Sequence, residues 1–235
     1  MLPPGALTAF RIVLASASPR RVELMRENLG LEIDVRPSQF AEDLPKSDFA
    51  DAAAYCRETA RQKATEVAAR CCGGDEACGR AQLVIAADTV VSLAGRVLEK
   101  PRDESHAAEM LRSLSGGEHE VITAIALVLV PAERGAPVRE ACVAEVTRVR
   151  FGDLSDSVID AYIKTGEPMD KAGAYGIQGR AGAFVTSIDG CFFNVVGLPL
   201  SRLCAEIVLL LGIQQAREGG QQSAGGEDPR VHQSA

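Results

Sequence analysis

The apolar run Leu83-Val-Ile-Ala-Ala ends in Asp88 and Thr89. An acid directly after a strand, beside a hydroxyl, is placed to ligate Mg²⁺ or to polarise a water, and both roles suit attack on phosphorus. A plain turn aspartate is the competing reading. A second segment, Ala15-Ser-Ala-Ser-Pro-Arg-Arg21, sets Ser16, Arg20 and Arg21 around the start of a helix. Backbone N–H groups and forked guanidinium donors there fit phosphate oxygens. Cations at the positive end of a helix dipole are locally unfavourable, which points to an arriving anion. The plainer reading is a capped helix with two solvated arginines. In Leu98-Glu99-Lys100-Pro101 the proline ends a strand and leaves Lys100 at its mouth.

The stretch GEPMDKAGAYGIQG, residues 166–179, is dense in glycine and needs special backbone conformations. Gly176, Gly179 and Gly182 follow GxxGxxG rather than GxGxxG, and GxxxxGK is absent, so dinucleotide-binding and kinase readings fall away. Histidines at 106, 119 and 232 are too few and too scattered for a triad or a His-based metal site, and His119, at a strand start, reads as structural. Seven cysteines, at 56, 71, 72, 78, 142, 191 and 204, include no CxxC pair and are odd in number, which fits reduced thiols in a cytoplasmic protein. Cys191 as a nucleophile lacks a local histidine.

The elements that must position these groups follow from pattern. Residues 11–15 form a short strand, and Ser18-Pro19 open a helix that runs to about 28 and stops near Gly30. A strand over 31–36 gives way to a loop over 37–47, then a long helix over 49–70 and a surface loop over 71–82. Residues 83–87 form a strand, and 90–93 with 97–98 a hairpin. A helix over 103–114 precedes two long β runs, 121–130 and 138–151, expected to pair antiparallel. Ser155 caps a helix to about 164, the glycine loop leads into two short strands, and a helix over 199–211 closes the fold. From Gln214 the chain loses core residues, so 213–235 is expected to be a disordered tail behind a domain over 9–212.

Composition narrows the partners. The net charge of −7 repels polyanions and argues against a nucleic-acid partner. The apolar stretch at 10–17 is interrupted by Arg11 and reads as a strand rather than a leader. No run reaches the ~18 apolar residues of a membrane span. At 235 residues and 46% hydrophobic, the chain can build its own core.

The ordered set LASASPRR, ADTVV, LEKP, SGGEHEVITA, GEPMDKAGAYGIQG and VVGLPL, between about residues 12 and 211, resembles the Maf family of nucleotide pyrophosphatases. The resemblance implies an α/β fold, an elongated mixed β-sheet flanked by helices with two lobes around a cleft, related to the inosine triphosphate pyrophosphatases. It implies cleavage of a nucleoside triphosphate to the monophosphate and pyrophosphate with a divalent metal cation, Mg or Mn. Carried over, the proton acceptor falls on Asp88, and the substrate-preference residues fall on Arg20, Thr89 and Gln178, a set that looks like the dTTP/UTP branch. Ser16, Arg21, Lys63 and Lys100 fall on phosphate-binding positions, and Asp88 with Glu42 on the metal, Asp43 being the alternative to Glu42. A homodimer is also implied. The competing functions are a non-catalytic nucleotide-binding regulator of cell division and a 7-methyl-GTP-type pyrophosphatase. The loop at 71–82 and the tail are longer than in bacterial members and touch none of the motifs.

Overall fold

Continuous apolar runs build the middle of the sheet, because strands covered on both faces need apolar side chains at every position. The computed structural model describes residues 2–73, 79–133 and 135–213. Its centre is a seven-stranded mixed sheet in the order β2-β1-β3-β5-β6-β7, with β4 attached to β3. β1 (Arg11–Leu14) lies parallel to β2 (Asp34–Val35) and to β3 (Gln82–Leu93). β4 (Arg96–Leu98) folds back on the end of β3. β5 (Glu118–Val130) and β6 (Arg139–Phe151) form a long antiparallel pair, and β7 (Val185–Asp189) adds to the last residues of β6.

Alternate side chains of each strand serve opposite faces. On one face Val84, Ala86 and Val90 join Ile122, Ala124 and Ala126 beneath α2 (Ala52–Gly73). The α2 stripe that meets them, including Cys56, Ala60, Ala64 and Val67, repeats every three or four residues and is built from small side chains, so helix and sheet approach closely. On the other face Leu83, Ile85 and Ala87 join Ile125 and Leu127. They are covered by α6 (Leu200–Leu211) and by a π-helical turn, Leu24–Asn28, that continues α1 (Pro19–Glu23). A further cluster gathers Val91, Val149 and Phe151 with α3 (Glu104–Leu114) and α4 (Asp156–Ile163), forming a second lobe. The lobes meet at a break in the sheet edge. β1 stops pairing with β3 at Ile85 and β4 pairs with it only from Val91 on, so among the described residues 86–90 of β3 have no strand neighbour on that side.

Several elements depart from the sequence reading. β3 is unbroken from Gln82 to Leu93, so Asp88 and Thr89 lie inside a strand and not after one. The cause is β5, which pairs with β3 residue by residue from Gln82 to Ser92 and carries the strand through the polar pair. The strand expected over 31–36 shrinks to Asp34–Val35, since only those residues face β1. The second short strand expected after the glycine loop is instead a helix, α5 (Phe192–Val196). α2 passes the expected stop at 70 and reaches Gly73. Ser155 caps its helix as expected, accepting from the Val158 N–H at 3.4 Å, whereas Ser18 holds the N-cap position of α1 without a side-chain cap bond, and Asp103 supplies a cap that the pattern does not mark, accepting from the His106 N–H at 2.7 Å. Cys56, Cys71, Cys72, Cys142, Cys191 and Cys204 are free thiols. Cys78 and the tail from 214 lie outside the described residues. No helix among the described residues is long and apolar enough to cross a membrane.

His119 packs edge-on against Phe151 and Tyr175 and is 2% exposed. Its Nε2 lies 2.8 Å from the Tyr175 hydroxyl, while Nδ1 has no hydrogen-bond partner among the described residues. Burial pulls its pKa down to about 4 from 6.5. The unfolded chain therefore takes up the proton first as pH falls, and stability present above pH 6.5 is lost progressively toward pH 4. The expected loss is ~3 kcal/mol. Urea unfolding at neutral pH and near pH 4 checks it: the His119→Gln variant should shed most of this acid sensitivity, and equal pH slopes in the two proteins would refute the assignment.

Candidate functional site

Asp88 and Thr89 are adjacent in β3 and so point to opposite faces of the sheet. Asp88 shares its face with Ala86 and Val90 and meets α2. There Lys63 interrupts the small apolar stripe of the helix. Its Nζ donates to Asp88 Oδ1 at 2.8 Å and to Glu42 Oε2 at 2.7 Å. Lys63 and Asp88 are each 8% exposed, whereas the Glu42 side chain is 52% exposed and marks the solvent side of the cluster. Glu42 adopts φ 55°, a left-handed conformation that costs a non-glycine residue about 1 kcal/mol or more. The ion pair to Lys63 accompanies that strain. Beneath Asp88, the Cys56 thiol donates to the Asp88 carbonyl at 3.2 Å, and burial, then the Asp88 charge, push this thiol well above its ordinary pKa.

Thr89 faces α1 and α5. Arg21 spans the gap: its Nε donates to the Gly197 carbonyl at 2.9 Å, Nη1 to the Ala87 carbonyl at 2.8 Å and to Ser16 Oγ at 3.2 Å, and Nη2 to Thr89 Oγ1 at 2.9 Å. Arg21 is therefore not a solvated arm. Burial lowers its pKa, with the Asp88 charge acting in the opposite sense. The Ala87 carbonyl it reaches lies in the stretch of β3 without a strand neighbour. Ser16 is buried and accepts from Arg21 and from the Ser18 N–H at 3.2 Å, which leaves its own hydrogen to be offered elsewhere.

The remaining expected residues lie around this pair of clusters. Leu98 is opposite Val91, so the chain leaving β4 heads back along β3 toward the level of Thr89. Lys100, two residues on, is exposed and makes no hydrogen bond or ion pair with the described residues. Its neighbour Glu99 is a junction that pattern reading missed. The Tyr55 hydroxyl donates to Glu99 Oε1 and Lys46 Nζ to Oε2, both at 2.8 Å, and the Glu99 carbonyl accepts from the Gly173 N–H at 3.1 Å. These contacts tie the Glu42 loop, α2, β4 and the glycine loop together. Gly173, at φ 66°, packs where a Cβ would lie 2.7 Å from Val91.

Arg20 reaches the glycine loop at Asp170, 4.0 Å away. Gln178 sits exposed in a turn closed by the Gly179 N–H to the Gly176 carbonyl at 3.0 Å. A Cβ on Gly179 would run into the Glu167 carboxylate, which holds the Tyr162 hydroxyl and the Arg180 N–H. Ser16, Arg21 and Thr89 are thus joined by hydrogen bonds on one face, and Glu42, Lys63 and Asp88 on the other. Among the described residues, Arg20, Lys100 and Gln178 make no hydrogen bond or ion pair with either group.

The donor set can be tested against a divalent cation. Asp88 and Glu42 supply oxygen ligands of the kind Mg²⁺ and Mn²⁺ take, and each has one carboxylate oxygen beyond that bonded to Lys63. Among the described residues no group of three His, Cys, Asp or Glu side chains gathers to hold a metal alone. The pair therefore fits a cation shared with phosphate oxygens, as Mg²⁺ is commonly bound, and not a closed protein cage.

The Maf family, described as Maf-like protein, matches residues 11–209. A human protein named probable bifunctional dTTP/UTP pyrophosphatase/methyltransferase protein is 46% identical over 207 residues, covering 88% of this chain and 33% of that one. The chain thus spans about a third of the length of that relative. A dTTP/UTP pyrophosphatase of Carboxydothermus hydrogenoformans is 45% identical over 198 residues, 84% of this chain and 97% of the relative. Another dTTP/UTP pyrophosphatase, from Anaeromyxobacter dehalogenans, is 48% identical over 198 residues, 84% of this chain and 92% of the relative.

Proposed function

The chain belongs to the Maf family, and from that premise we propose that it is a nucleoside triphosphate pyrophosphatase that hydrolyses dTTP and UTP to the monophosphate and pyrophosphate. The observation that carries the reading is the buried Lys63 ammonium between Asp88 and Glu42, beside the stretch of β3 left open between the lobes. The names of relatives about 45% identical over more than four-fifths of the chain support the substrate class.

In the mechanism we propose, the triphosphate lies across the open stretch, with the free hydrogens of Ser16 and Lys63, the one Arg21 Nη2 hydrogen not given to Thr89, and the exposed Lys100 directed at its oxygens. Asp88 and Glu42 would hold a divalent cation, which would supply charge neutralisation that eases departure of pyrophosphate. Asp88 takes the proton of the water that attacks the α-phosphorus, the bond from that phosphorus to the bridging oxygen breaks, and pyrophosphate leaves. Lys63 orients the Asp88 carboxylate through the 2.8 Å bond and keeps a cation beside it throughout. The catalytic unit of this proposal is the domain over 9–212, in the cytoplasm, as a homodimer whose mass sedimentation would test.

Pyrophosphate release from a panel of canonical and methylated triphosphates, with Mg²⁺, Mn²⁺ and EDTA arms, tests the reading. Cation-dependent release favouring UTP and dTTP supports it. Preference for 7-methyl-GTP would move the chain to the other branch, and binding without release would make it a nucleotide-binding regulator. Gln178 offers a donor and an acceptor to a pyrimidine edge. Gln178→Ala should therefore cut the UTP to GTP ratio of kcat/KM by about tenfold, the worth of one or two lost hydrogen bonds. An unchanged ratio would remove Gln178 from substrate choice.

A further inference from the structure

For most of its length β6 is an edge strand. On one side it pairs with β5 from Arg139 to Arg150, whereas on the other β7 reaches only Arg148 to Phe151. Residues 139–147, a span of about 30 Å, therefore have no backbone hydrogen-bond partner on their outer side among the described residues. The two sheet faces are covered up to this edge: Cys142 and Ala144 pack in the cluster beneath α2, and Ala141 and Val143 in the cluster that α6 covers. Only the row of backbone N–H and C=O groups is left open.

Long open edges invite pairing with another chain, and proteins commonly blunt them with proline, lysine, a bulge or a charge turned inward. The stretch REACVAEVT over 139–147 has neither proline nor lysine, and the register shift in β6 lies at Arg150 and Phe151, beyond it. Its middle, Ala141 to Ala144, carries small side chains that let a second backbone approach. Toward its ends, Arg139 and Glu145 make no hydrogen bond or ion pair with the described residues. Val138 and Val146 leave about half of their surface in water.

We propose that this edge pairs antiparallel with the same edge of a second copy of the chain, around a twofold axis at Cys142, and so forms the interface of the homodimer. The inference rests on the homodimer proposed above and does not depend on the pyrophosphatase reading. With the axis there, Arg139 faces Glu145 of the partner subunit and Val138 faces Val146 of the partner subunit, and the symmetry makes each pair occur twice. Side chains directly opposite in antiparallel strands share one face of the sheet, where opposite charges and paired apolar residues stabilise the pairing. Neighbouring registers lose this match. An axis at Val143 sets Arg139 against Thr147 of the partner subunit and Glu140 against Val146 of the partner subunit, and an axis at Ala141 sets Arg139 against Val143 of the partner subunit. Charge complementarity therefore selects both the occupant of the edge and its register.

Sedimentation equilibrium tests this, with thermal unfolding to show that each chain is folded. Arg139→Glu or Glu145→Arg alone sets like charges opposite each other twice and should raise the dissociation constant of the dimer about tenfold or more. Combining Arg139→Glu with Glu145→Arg restores opposite pairs and should return it to within about threefold of the parent chain. Folded single variants with the parent constant overturn the proposal and move the dimer to another surface, and a double variant no tighter than the singles overturns it as well. Should a single variant not fold, Val138→Glu, which lies before β6 and sets a charge against Val146 of the partner subunit, is read by the same criterion. A parent chain that stays monomeric at every concentration overturns both the edge and the homodimer, while pyrophosphate release from the nucleotide panel decides the pyrophosphatase reading separately.

Discussion

Asp88→Asn should lose about a thousandfold in pyrophosphate release while the chain stays folded. Removing a general base costs about 10²–10⁴ in rate. Asparagine has the same shape and still presents an oxygen to Lys63, so the 2.8 Å contact and the packing of β3 against α2 can persist. What disappears is the capacity to take a proton and the charge that would help hold a cation. Those two roles compete, because a carboxylate bound to a cation is a weaker base. They separate on titration: if Asp88 acts chiefly as a ligand, excess Mn²⁺ restores part of the variant's activity, and if it acts chiefly as a base, none returns. Full turnover by Asp88→Asn would sink both roles.

Lys63→Met should show the largest combined effect on stability and activity. Lys63 is 8% exposed and is the cation between the carboxylates of Asp88 and Glu42, of which Asp88 is equally buried. Breaking such a pair by removing one partner costs about 3–5 kcal/mol, chiefly the price of leaving a buried charge uncompensated. Methionine fills much of the same volume, so a loss of that size cannot come from a cavity. The rate should fall by about 10²–10³, the worth of one preorganised electrostatic contact. Urea unfolding gives the first number and pyrophosphate release the second. The double variant with Asp88→Asn separates the cause, since with Asp88 neutral the same lysine deletion should cost much less stability. A full additive cost in the double variant would mean that Lys63 acts by packing alone.

Lys63 was named by the resemblance to the family, and its place on the helix explains its role. It falls on the three-to-four-residue stripe of α2 beside Ala60, Ala64 and Val67, where a lysine is out of place unless it has a buried partner. Its partner Glu42 was not legible from pattern, because the loop carrying it has no period and its side chain is placed by one left-handed residue and one ion pair. Resemblance to the family pointed to it, with Asp43 as the alternative, where periodicity could not. Glu99 was hidden for another reason. The motif drew attention to Lys100 beside it, yet Glu99 makes the contacts, with Tyr55, Lys46 and Gly173 arriving from three other segments.

The sequence by itself determined most of the order of the elements, the helix cap at Ser155, the long antiparallel pair and the kinds of side chain brought to the site. These depend on neighbours a few residues away, and local sterics, capping and apolar period act at that range. Only the tertiary structure decided that Asp88 and Thr89 serve opposite faces, because the strand continues through them only when β5 supplies a partner at every position from Gln82 to Ser92. It alone brought the Thr123 hydroxyl to the Asn194 carbonyl, 71 residues away, and Arg21 to the Gly197 carbonyl, 176 away. Hydrogen bonds over such separations form where folding has already brought the donors and acceptors together, and no local pattern encodes them.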